Sequence, residues 1–285
     1  MVDALLSLLQ STVEPAQVWT LALFLLFLPI FFFSYWAVKR GAHLTLRPIE
    51  AYSALKGLLA RGAEAGQPVH LSLGIAGIGD QATADTAAGL NVLEYLADRA
   101  AISASPPIVS IANATALPVA QDLLRRAYHR QGYPEEYDPV RVRFLSPADP
   151  TLQSPSVPGP AVYANSPHDA FAYAAGTMRL LTQNKLIANV MVGQFGDEFL
   201  LLGETGAQQG LDQIGGTSTL SALPFVYATV SHPLIGEEIY AGGAYLLSKP
   251  AHLSSLMAQD ILRWVLAVGV LTAILLRTAG LLVLQ

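Results

Sequence analysis

Hydrophobic and polar positions divide the chain into two long apolar spans and a patterned middle. Residues 18–38 (VWTLALFLLFLPIFFFSYWAV) and 264–285 (WVLAVGVLTAILLRTAGLLVLQ) each reach the length, about 20 apolar residues, at which a helix crosses a bilayer. The first holds no charge and has Trp19 at one end and Tyr35 and Trp36 at the other, the distribution of an interfacial aromatic belt. Pro29 predicts a kink inside it, which a membrane helix tolerates. A cleaved signal peptide would need a basic residue before the run and small residues after it. Instead Asp3 and Glu14 precede the run and Lys39 and Arg40 follow it.

Between the spans the period changes. Pro48 to Ala65 reads as a helix with Ile49, Tyr52, Leu55, Leu58 and Leu59 on one stripe, ended by Gly66, Gln67 and Pro68. Val69–Leu73, Ile108–Ile111 and Val140–Leu145 are short apolar strands, separated by helices over Thr83–Ala101 and Ala116–Gln131. Five prolines, Pro147, Pro150, Pro155, Pro158 and Pro160, exclude a regular element over 146–160 and predict a contact-making loop. Ser166, Pro167 and Asp169 then open a helix running to about Asn184.

Leu186–Val192 and Phe199–Leu202 are apolar runs joined by residues 193–198, which is hairpin chemistry. Phe225–Val230 reads as a further strand and Glu237–Leu247 as a helix leading toward the second span. Alternation with short joints predicts an α/β fold: a mainly parallel, partly mixed, Rossmann-like three-layer sheet domain flanked by an N-terminal and a C-terminal transmembrane helix. The expected segments are 1–17 outside the cytoplasm, 18–38 the first span, 39–66 a juxtamembrane linker helix, 67–250 the cytoplasmic α/β domain, and 251–285 a juxtamembrane region with the second span.

Charge orients this arrangement. Lys39, Arg40, Arg47 and Lys56 follow the first span and no Lys or Arg precedes it, while Lys249 and Arg263 precede the second. The positive-inside bias predicts a multi-pass protein of the cell membrane with a cytoplasmic middle and both termini on the other side. Arg277 lies about 20 Å into the second helix, where a charge is costly unless it pairs or snorkels. Glu14 is the expected partner, within one chain or between neighbours, with lipid phosphate as the alternative.

Composition narrows the function. Charged residues make up about 30 of the 210 residues from 41 to 250, near 14%, against roughly 25% in ordinary soluble domains. A charge-poor surface predicts contact with subunits, partners or the lipid bilayer. The net charge of −5 argues against nucleic acid, whose phosphates need concentrated Lys and Arg. The chain has no Cys, which removes disulfides, thiolate metal sites and cysteine nucleophiles together.

Candidate chemistry is sparse. Gly74, Gly77 and Gly79 stand between a strand and a helix, where glycines can bring a backbone close to phosphate. The spacing is reversed from the dinucleotide fingerprint, the second strand ends in Ile111, Ala112 and Asn113 without an acidic ribose ligand, and Asp80 would repel phosphate. A ligand at the carboxyl ends of the strands would meet Gly77, Gly79, Asp80, Asn113, Thr115, Ser146 and Asp149, residue types that also serve as caps and turns. The stretches Gly203–Gly206 and Gly215–Ser218 read as flexible loops.

Ser218 follows Gly216 and Thr217 without the second glycine of a nucleophile elbow, and none of the four lysines follows a Walker glycine run. The six histidines lack metal-ligand spacing and read as surface or satisfied side chains. No catalytic residue, metal or cofactor is assigned. The leading expectation is a scaffold or oligomerising subunit at the membrane, forming homo-oligomers or docking on membrane-complex partners. The alternatives are a membrane-tethered small-ligand sensor and a hydrolase of unmotifed type.

Overall fold

The computed structural model describes residues 15–41, 46–103, 105–145 and 167–278, which form two compact units. One unit is built from the two apolar helices. Helix α1 (Pro15–Lys39) continues through Pro29. The C-terminal helix runs from Pro250 to Thr278, starting well before the second apolar span because the polar residues ahead of that span are themselves helical. Both are long and apolar enough to cross a membrane. They pack on one another, and their buried residues are small: Ser34 on α1, Ser254 and Ala258 on the C-terminal helix. Small side chains permit close backbone approach.

The other unit, residues 47–247, is an α/β domain. In chain order its elements are α2 (Glu50–Ala65), β1 (Val69–Gly74), α3 (Thr83–Ser103), β2 (Ile108–Ile111), α4 (Leu117–Gln131), β3 (Val142–Phe144), α5 (Pro167–Gln183), β4 (Ala188–Gln194), α6 (Glu198–Gln208), β5 (Asp212–Thr217), α7 (Leu223–Thr229) and β6 (His232–Ile235). A 3₁₀ stretch, Gly236–Ala241, and the short α8 (Gly242–Tyr245) close the domain, where one continuous helix was expected.

The six strands among the described residues are all parallel, in the order β3-β2-β1-β4-β5-β6. The chain starts at the centre, winds outward to β3, returns beside β1 as β4, and winds outward again to β6. Leu71, Leu73, Val109, Ile111, Val190 and Val192 bury one face of the sheet with Tyr52 and Leu55 of α2, Leu93 of α3 and Leu124 of α4. Met191 on the other face joins Tyr173 of α5, Phe199 and Leu202 of α6 and Val226 of α7. Both faces of the sheet are covered, so β1, β2 and most of β4 are buried residue by residue, including the polar His70, Ser72, Ser110 and Asn189 that alternate with the apolar positions.

Three further sequence expectations fail, and with them the mixed sheet. Phe199–Leu202 is the first part of α6 and forms no hairpin with β4, and Phe225–Val230 falls largely within α7. The glycine stretches are not loops: Gly203 and Gly206 lie inside α6, and Gly215 and Gly216 inside β5. Packing explains this. A Cβ on Gly203 would stand 2.2 Å from Thr229 Oγ1, and one on Gly216 would stand 2.5 Å from the Leu234 carbonyl oxygen. These glycines allow helix and strand to approach their neighbours. The Pro-rich segment 146–160 and the expected cap Ser166 lie outside the described residues.

Candidate functional site

The strand order reverses between β1 and β4, and in open α/β sheets ligands bind beyond the carboxyl ends of the strands at such a point. The residues there are the β1–α3 loop, the start of α3, the β2–α4 turn and the β4–α6 loop. Of the sequence-predicted site residues, Gly77, Gly79, Asp80, Asn113 and Thr115 do come together. Ser146 and Asp149 lie outside the described residues, as does Glu14. Arg277 is exposed in the last turn of the C-terminal helix, which we name α9 (Pro250–Thr278).

The hydrogen bonds of the β1–α3 loop turn inward. Asp80 accepts from the N–H groups of Gly77 at 2.8 Å and Ala82 at 3.0 Å. The N–H of Gly79 donates to Thr83 Oγ1 at 2.9 Å, whose hydroxyl donates to the Asp80 carbonyl at 2.7 Å. The N–H of Ile78 donates to Thr115 Oγ1 at 2.8 Å, and Asn113 Oδ1 accepts from both the N–H and the hydroxyl of Thr115. A phosphate at a helix start binds through such N–H groups. Here the chain's own carboxylate and hydroxyls occupy them.

The second loop at the reversal repeats the device. Glu198, the first residue of α6, accepts from the N–H of Gly196 at 2.8 Å, and burial pushes its carboxyl pKa up. The two loops are also joined. Ile75 N–H donates to the Gln194 carbonyl at 3.0 Å, so β1 and β4 stay paired to their ends. Gly74, with φ +76°, permits this; a Cβ there would stand 2.1 Å from that oxygen. Nearby, Asp85 on α3 is buried and accepts from Ser218 Oγ at 2.7 Å and from the Tyr240 hydroxyl, fastening α3 to the ends of β5 and β6. Asp85 and Tyr240 were not singled out in the sequence, because nothing local marks residues that meet only in the fold.

A second polar constellation crosses the interior of the sheet. Gln213 Nε2 donates to the carbonyls of Gly203 and Thr229, both at 2.8 Å, leaving its Oε1 to accept from Asn189 Nδ2 at 3.1 Å. Asn189 Oδ1 must then accept from His70 Nδ1, 2.8 Å away. That places the imidazole proton on Nδ1 and leaves Nε2 to accept from Ser110 Oγ at 3.1 Å. Ser110 Oγ in turn lies 2.9 Å from the Tyr173 hydroxyl, which Ser72 Oγ approaches to 2.6 Å.

Serine, histidine and asparagine in this order are the parts of a nucleophile, base and orienting group. Ser110, His70 and Asn189 are nevertheless all at 0% exposure, where no substrate carbonyl can reach. Burial lowers the His70 pKa to about 4, against the opposing hydrogen bond to Asn189, so the ring is neutral at pH 7. The row holds the sheet together. Among the described residues no group of three His, Asp or Glu side chains could hold a metal ion.

Residues 9–153 and 161–285 match the family described as "Domain of unknown function (DUF6754)". No curated protein and no solved structure matches the chain. With nearly its whole length matched, the chain belongs to the DUF6754 family.

Proposed function

We propose that this protein is a double-anchored integral membrane protein of the cell membrane whose Rossmann-like domain, on the cytoplasmic side, acts as a scaffold or oligomerising assembly subunit. Lys39 and Arg40 at the end of α1, with Lys249 and Arg263 ahead of the second apolar span, support that orientation. The strand order is that of the dinucleotide-binding folds, which supports the fold assignment. One observation carries the choice of function. The N–H groups that would cradle a ligand at the strand reversal are held by Asp80, Thr83, Thr115 and Glu198. A domain that fills its own ligand position is suited to binding macromolecules.

Mass measurement of the full chain in mild detergent or in lipid nanodiscs tests this. Homo-oligomers or a co-purifying membrane partner are expected, and a monodisperse monomer without partners overturns the reading. The switch point between β1 and β4 favours a second reading, a small-ligand sensor. Ligand binding to the native state must raise its apparent stability, so a thermal shift with a nucleotide or a small organic anion would support the sensor.

A further inference from the structure

We propose that two copies of this chain associate through the outer face of helices α5, α6 and α7, in a two-fold contact that sets Arg179 of one copy against Glu204 of the other. The proposal rests on the oligomerising reading above and gives it a surface. The two helical layers of the domain differ in charge. Each of α2, α3 and α4, on one side of the sheet, carries four charged residues, whereas α5 and α6 on the other side carry two each and α7 none. In the first layer several of these charges are neutralised within the chain: Arg125 and Arg126 pair with Asp122, and Arg130 pairs with Asp98.

The second layer exposes apolar residues at helical spacing. Helix α6 lies between α5 and α7, and Tyr173, Phe199, Leu202 and Val226 turn toward the sheet. On the outer side Phe171, Ala175 and Arg179 follow one another at four-residue intervals along α5, Leu201 and Glu204 stand on α6, and Tyr227, 61% exposed, on α7. The other two charges of these helices are withdrawn, Asp169 half-buried in the first turn of α5 and Glu198 buried against the Gly196 N–H. Exposed Thr182, Asp197, Gln208 and Ser221 at the helix ends are polar in the manner of an interface rim. Charge selects the occupant. Among the described residues Arg179 forms no ion pair, and Glu204 accepts from the Gln208 amide at 3.1 Å. A bilayer carrying anionic lipid would repel Glu204 and find a single cation beside it. A second copy presents both signs. In a two-fold contact residue i meets j and j meets i, so one Arg179–Glu204 pairing is made twice about an axis that passes between α5 and α6.

The chain has no native cysteine, so cross-linking reads the contact directly. Full-length Arg179→Cys and Glu204→Cys are purified separately, mixed in mild detergent and treated with a short bis-maleimide. Position 179 of one copy should couple to 204 of the other several-fold more than to Ile102→Cys, a control on the opposite layer that is as exposed as Tyr227. Arg179→Glu and Glu204→Arg should each weaken association about tenfold or more, because like charges then meet, and the double variant should restore it. Coupling no stronger than at position 102, or reversals that leave association unchanged, overturn this surface while the oligomer itself stands. Weakening without rescue in the double variant overturns the two-fold pairing. A parent that is a monodisperse monomer by mass overturns the oligomerising reading and this surface with it, and quenching of a fluorophore at Tyr227→Cys by nitroxide lipids would then assign the face to the bilayer.

Discussion

His70 Nδ1 donates to Asn189 Oδ1 across 2.8 Å in the middle of the sheet, and the direction of that bond is set by two carbonyls at the far end of the row. Gly203 and Thr229 orient Gln213, Gln213 orients Asn189, and Asn189 selects the tautomer of His70. His70, Asn189 and Gln213 share one register position on β1, β4 and β5. Parallel pairing therefore stacks three polar side chains into a single line inside an otherwise apolar layer.

The row makes stability depend on pH. The folded-state pKa of His70, about 4, lies below the usual 6.5, so between those values the unfolded chain binds the extra proton. The contribution is complete above pH 6.5 and is lost as pH falls through 4, reaching about 3 kcal/mol. Thermal unfolding in detergent from pH 7.5 to 4 should show a falling Tm that is markedly flatter in His70→Gln. Equal slopes in the two proteins would contradict it.

Replacing the middle of the row should cost more than replacing a half-buried asparagine. Asn189→Ala leaves His70 Nδ1–H and Gln213 Oε1 buried without their partner. Each unsatisfied group costs about 1–3 kcal/mol. Chemical denaturation should show a loss of that order or more for Asn189→Ala, whereas Asn184→Ala, just past the end of α5 with its side chain donating to the Leu180 carbonyl, should lose less.

Asp80 offers a test of the filled ligand position. Asp80→Ala removes the acceptor for the N–H groups of Gly77 and Ala82 at the start of α3. The loss should resemble that of a helix cap, about 1 kcal/mol. Millimolar inorganic phosphate should raise the Tm of the variant and leave the parent unchanged, because an anion can enter only where the carboxylate has left. Equal shifts in both proteins would show that Asp80 does not occupy an anion position.

Two glycines of one loop should respond differently. Gly74→Ala combines positive φ with a Cβ 2.1 Å from the Gln194 carbonyl oxygen, whereas Gly79, with φ +98°, has nothing within 4 Å of its Cβ position. Gly79→Ala should cost only the left-handed backbone penalty, about 1–2 kcal/mol. Gly74→Ala adds overpacking between two backbones, for a total of about 3 kcal/mol or more. Denaturant midpoints of the two variants read the difference directly.

Legibility followed the range of the interactions. Apolar length and period are local properties, so the two long helices, the stripe of α2 and the strand-helix alternation through β3 were present in the sequence. Short runs were ambiguous. Phe199–Leu202 fits a buried strand as well as a helix turn, and only the burial of Phe199 and Leu202 with exposure of Leu200 and Leu201 displays the three-residue spacing of a helix. The glycines of β5 resembled a loop because their reason lies in Phe199 and Leu234, side chains from other elements. The candidate loop was legible as residues but not as a state: Gly77, Asp80, Asn113 and Thr115 could equally have held a phosphate or each other.

The sequence by itself determined which segments are apolar enough for a bilayer, where helices and strands alternate, and where a ligand loop could form. The tertiary structure decided that the six strands among the described residues are all parallel, that the loop closes on Asp80, and that Ser110, His70, Asn189 and Gln213 form one buried row. Strand register and side-chain partners depend on residues tens to more than a hundred positions apart, and no local pattern encodes which of them will meet.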